Sequence, residues 1–96
     1  MQTQSYDLNT MLMLDGNAVA GLLMETFSAE MTVAPVRCAN CGREGELGSL
    51  HAYTHGPGCV LRCPTCRRVV MRIVKTPRAT YIDARGAAFV CMPRRA

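Results

Sequence analysis

Apolar residues in this 96-residue chain change their spacing near residue 31. Between Asp15 and Glu30 they recur three and four apart, so that Val19, Leu22, Leu23 and Phe27 share one side of a helix. The pattern predicts a helix over residues 17–27, with Asp15 or Asn17 as its N-cap and Ala18, Ala20 and Gly21 as a face of small residues. Gly16 and Gly21 weaken such a helix, so packing of its apolar side has to stabilise it.

From Met31 onward the apolar runs are short and punctuated by glycine and proline, which predicts strands. They are MTVAPVR, LGSLHAYT, CVLR and VVMRIVKT, with HGPG as a turn, followed by two strands in TPRATYIDARGAAFVCMP joined at Gly86. Residues 1–10 (MQTQSYDLNT) are polar, lack an apolar period and read as a flexible tail. Residues 11–96 then form one small α+β domain, an N-terminal helix packed on an antiparallel sheet. At this size a metal or disulfides often complete the stability of the core.

Six cysteines change the picture, because four of them are paired. Cys38 and Cys41, then Cys63 and Cys66, give two C-x-x-C units separated by 21 residues, a spacing that suits a tetrahedral zinc site. Two intervening residues let a tight turn aim both sulfurs at one cation, at about 2.3 Å each. Gly42 suits the exit of the first turn, whereas Arg67 in the matching place predicts a less regular second one. A redox pair of the thioredoxin type would open a helix in a βαβ setting, and both pairs here are flanked by strand patterns. An iron–sulfur site is a further alternative. Four cysteines leave no open position on the metal, so one structural Zn2+ and no catalytic role are expected.

Cys59 and Cys91 fall outside the knuckles, in apolar surroundings, and are expected to be small buried hydrophobes. His51 and His55 lie four apart, about 13 Å along a strand at about 3.3 Å per residue, too far to share an ion.

Charge divides the chain. Residues 1–36 carry Asp7, Asp15, Glu25 and Glu30 without a base, while residues 37–96 hold all eleven bases against three acids. Arg62, Arg67, Arg68, Arg72, Lys75 and Arg78 bracket the second knuckle and are candidate nucleic-acid contacts. Two plainer explanations stand beside that one. Arginine-rich usage follows from genome composition, and four thiolates around Zn2+ carry −2 that nearby arginines would balance. Met11, Met13, Met24 and Met31 give an adaptable apolar surface for a protein partner, such as a redox enzyme or a transcription component, or else fill the core. With no membrane-length apolar stretch and Arg37 as the first base, a cytoplasmic protein that binds no membrane is expected.

The sequence resembles a family of short bacterial proteins of unknown function. The resemblance rests on LDGNAVAGLL, the CANCG knuckle, LHAYTHGPGCVLRCPTC and the VVMRIV strand. It implies a helix packed on a zinc-ribbon-like sheet, with Cys38, Cys41, Cys63 and Cys66 in the ligand places, and implies no activity.

Overall fold

The computed structural model describes residues 13–94. The tail expected over residues 1–10 lies outside them. Strand β1 (Leu14–Asp15) leads into the helix. The Asp15 carboxylate accepts the backbone N–H groups of Asn17 and Ala18 at 3.1 and 3.3 Å, capping a 3-10 turn, Gly16–Val19, that runs on into α1 (Ala20–Phe27). The helix stops at Ser28, whose left-handed backbone (φ 56°) brings its N–H to the Met24 carbonyl at 2.7 Å. Leu23 is fully buried and Val19 nearly so, but Leu22 and Phe27 are only half-buried. The small-residue side of Ala18 and Gly21 faces solvent.

Gly16 explains the Asp-Gly pair at the helix start. Its N–H donates to the Leu50 carbonyl at 2.8 Å, and a Cβ there would lie 2.2 Å from the Leu47 carbonyl oxygen. Only glycine lets the backbone approach the second 3-10 turn, Leu47–Ser49, this closely.

The remaining chain forms β2 (Pro35–Cys38), β3 (Glu44–Glu46), β4 (His51–Tyr53), β5 (Cys59–Arg62), β6 (Val69–Lys75), β7 (Thr80–Asp83) and β8 (Ala87–Val90). They make two antiparallel sheets, not one: β1-β4-β5-β6-β7 and β3-β2-β8. The expected strand through Met31 begins only at Pro35. The Glu30 carboxylate takes the Thr32 N–H and hydroxyl at 3.1 and 2.7 Å, and the Ala34 N–H donates to the Met31 carbonyl, so that stretch turns. LGSLHAYT likewise opens as a 3-10 turn, which buries Leu47 and Leu50 three residues apart.

One core joins these parts. Leu23 of α1, Val36 of β2, and Leu61, Met71 and Ile73 of the larger sheet are all about fully buried in it with Met31 and Leu47. Alternation leaves the other face of the larger sheet to solvent, along the row Tyr53, Val60, Arg72 and Asp83. Gly86 marks the seam between the sheets. Its carbonyl accepts the Ala39 N–H at 2.8 Å, and a Cβ would meet the Val69 carbonyl oxygen at 1.8 Å.

Candidate metal centre

Each C-x-x-C pair sits on a turn between two strands, and the two turns belong to different sheets. Cys38 ends β2, and Cys41 precedes β3; Cys63 follows β5, and Cys66 precedes β6. The turns are built alike. In the first, the Gly42 N–H donates to the Cys38 carbonyl (3.0 Å), the Cys38 N–H to the Arg43 carbonyl (2.9 Å), and the Asn40 N–H points at Cys38 Sγ (3.4 Å). In the second, the Arg67 N–H donates to the Cys63 carbonyl (2.8 Å), the Cys63 N–H to the Arg68 carbonyl (2.9 Å), and the Thr65 N–H points at Cys63 Sγ (3.4 Å). Arg67 adopts the left-handed conformation (φ 68°) that Gly42 adopts in the first turn (φ 79°). This corrects the expectation of an irregular second knuckle: the hydrogen bonds of the turn hold a non-glycine residue in the required conformation.

The four sulfurs converge. Cys38 and Cys66 Sγ lie 3.6 Å apart, Cys41 and Cys63 Sγ also 3.6 Å, and all four within 4.8 Å of one another. A tetrahedron with arms of about 2.3 Å has edges of about 3.8 Å, so these residues fit a metal ion with four thiolate ligands. The cross-knuckle pairing makes the centre a link between the two sheets.

Ionisation of the thiols is uneven. A hydrogen bond from the Asn40 side chain, then one from the Arg68 N–H, hold Cys66 down to about 6. Desolvation opposes ionisation of Cys63, but the Cys66 and Thr65 N–H groups outweigh it and lower its pKa. Cys41 receives the Arg43 N–H, yet desolvation and the three neighbouring thiol groups push it up to about 11. Four sulfurs this close cannot all ionise without a cation, and a divalent metal removes the obstacle.

The other two cysteines part company. Cys59 is buried at 3% exposure, as expected, and desolvation raises its pKa. Cys91 is exposed, against expectation: β8 ends at Val90, and only the Cys91 N–H, bonded to the Pro35 carbonyl at 2.8 Å, still follows the sheet. His51 lies half-buried on β4 and His55 exposed in the following loop, both outside the cysteine cluster.

The six basic candidates also separate. Arg62, Arg67 and Arg72 line one cleft on the open face of the larger sheet. Lys75 is instead paired with Glu25 (2.6 Å), Arg78 sits in the β6–β7 turn, and Arg68 is exposed beside the knuckle. Tyr53, across the sheet from the basic hairpin, is the cleft residue that charge-based reading misses; its register opposite Val60 is the signal.

Among the described residues no helix is long and apolar enough to cross a membrane. No curated protein and no solved structure matches the chain. A family model matches residues 7–95, nearly the whole length over which the helix, both knuckles and both sheets extend, and the chain belongs to that family, the family of unknown function DUF6510.

Proposed function

We propose that this protein is a non-catalytic accessory module that holds one structural Zn2+ on Cys38, Cys41, Cys63 and Cys66 and works by docking on a protein partner. The observation behind it is the closed set of four sulfurs drawn from two sheets. Such a site spends every coordination position on protein and leaves none for a substrate, while it fastens together a core too small to be very stable alone. The docking surface would use exposed apolar side chains around the helix, Leu14, Met24 and Val33 (42, 46 and 56% exposed). Met31 is core, so only part of the methionine-rich stretch serves such a surface.

Elemental analysis of the purified protein tests the metal. One equivalent of zinc in a colourless protein is expected; the visible absorption of an iron–thiolate site would overturn zinc. A second reading, a nucleic-acid-binding zinc ribbon in the cytoplasm, is favoured by one observation, the gathering of Arg62, Arg67 and Arg72 around a single cleft. Salt dependence separates the two, since phosphate contacts weaken steeply with salt and apolar docking does not.

A further inference from the structure

The cleft on the open face of the larger sheet has a volume of about 680 Å³, in the range of small-ligand sites. Val60 and Val74 floor it, Tyr53 stands beside them, and Arg62, Arg67 and Arg72 surround them. Three features point to an anionic ligand with a flat apolar part.

Charge comes first. Among the described residues the ion pairs are Arg37–Glu44, Lys75–Glu25 and Arg85–Asp83, so none of the three cleft arginines has a carboxylate partner of its own. Asp83 faces Arg72 in register, but its two oxygens are held by Arg85 at 3.0 and 2.6 Å. Preorganisation comes second. The Arg62 guanidinium lies 5.9 Å from the centre of the Tyr53 ring and donates to the Arg67 carbonyl at 2.9 Å, so its position is fixed before any ligand arrives. Third, Arg67 occupies a left-handed position where glycine costs nothing, and backbone strain of this kind collects at functional sites.

We infer that this cleft binds a nucleotide unit, with the base against Val60, Val74 and the Tyr53–Arg62 pair and the phosphate between Arg67 and Arg72. Guanidinium groups match phosphate oxygens in pairs, and a guanidinium resting on an aromatic ring gives a base a stacking plane. The unit can come from a free mononucleotide or from a single strand. The inference rests on the metal-stapled fold, because the second knuckle sets Arg67, and it deepens the nucleic-acid reading of this same cleft.

The test measures binding of thymidine monophosphate, and separately of a fluorescein-labelled oligothymidylate dodecamer, to metal-loaded full-length protein by calorimetry and anisotropy. Metal content is assayed in every sample. Arg67→Gly and Arg72→Gln are each expected to weaken binding about tenfold or more while keeping the metal, and Arg78→Gln to leave it unchanged. Comparable affinity for both probes identifies a mononucleotide site; a much tighter dodecamer identifies a single-strand site. Absence of binding by either probe to protein that holds its metal overturns the inference and leaves the structural-metal reading intact. So do equal losses in Arg78→Gln and Arg67→Gly, which would mean non-specific charge, and displacement of both probes by an acidic peptide, which would make the cleft a protein contact. Protein without metal that still binds in the cleft sinks the structural-metal reading instead.

Discussion

Arg67 repeats the conformation of Gly42: the two residues end equivalent turns with φ of 68° and 79°, and each donates its N–H to the carbonyl of the first cysteine of its pair. A side chain at positive φ is strained by about 1–2 kcal/mol, partly offset because glycine loses more freedom on folding. Arg67→Gly is therefore expected to be neutral or to stabilise by up to about 1 kcal/mol, with metal content unchanged. Gly42→Ala should destabilise by about 1 kcal/mol. Urea unfolding of metal-loaded protein measures both, and a clear loss of stability in Arg67→Gly would show that its side chain, not its backbone, secures the knuckle.

The four sulfurs should behave as a set and the other two cysteines should not. Cys63→Ala is expected to lose stoichiometric metal. Cys59→Ala keeps it and costs about 1–2 kcal/mol as a small core cavity, whereas exposed Cys91→Ala changes stability by less than about 0.5 kcal/mol. Elemental analysis beside thermal unfolding reads all three, and a Cys63→Ala protein that folds with full metal would end the assignment.

Metal-free protein should show the uneven thiols directly. With Cys66 held near 6 and Cys41 near 11, alkylation at neutral pH is expected to mark Cys66 well before Cys41, and a bound divalent metal to protect both. Lowered Cys66 favours the folded apo form above the ordinary thiol value and loses that effect as pH falls through about 6. Raised Cys41 favours it below the ordinary value and loses the effect as pH rises through about 11. A metal ion held by the four thiolates would leave on acidification, because protons compete for all of them. Peptide mapping and a chromophoric chelator follow these events; equal labelling of the two cysteines would contradict the geometry.

Burial along the helix is graded, and truncation should follow it. Leu23→Ala, at a fully buried site, is expected to cost about 2–5 kcal/mol. Phe27→Ala, half-buried, should fall below the roughly 3–5 kcal/mol of a core phenylalanine. Chemical denaturation ranks them, and the reverse order would place Phe27 in the core.

At the seam, Gly86→Ala should be among the most damaging single changes outside the cysteines. The added carbon would fall 1.8 Å from the Val69 carbonyl oxygen, so backbone has to move, at about 3 kcal/mol or more. Gly21→Ala, with nothing near its Cβ, should instead stabilise by up to about 1 kcal/mol. Unfolding midpoints of the two variants measure the contrast.

Period and spacing made much of this legible. Val19 and Leu23 follow the helical period, CVLR and most of VVMRIVKT become β5 and β6, and the two C-x-x-C units meet as four sulfurs. The division into two sheets was not legible, because it depends on β8 crossing from the end of β7 to pair with β2, a long-range choice that no local pattern records. β3 is Glu-Gly-Glu and carries no apolar signal; its neighbour β2 recruits it through the first knuckle. Cys91 misled because its apolar neighbours resemble a strand interior while the sheet ends one residue earlier. The cleft was half legible: charge marked Arg62, Arg67 and Arg72, but only strand register sets Tyr53 beside them.

The pairing of Cys38 with Ala87 has a kinetic consequence. Those residues are about fifty positions apart, so in the metal-free chain β8 can reach β2 only by closing a long loop late in folding. A metal that already joins Cys38 to Cys66 shortens the stretch still to be closed to about twenty residues. At roughly 0.6 kcal/mol per doubling of loop length, that lowers the closure penalty by less than about 1 kcal/mol. The order of events would change more than the equilibrium: a bound ion would turn the last strand from a distant search into a local one.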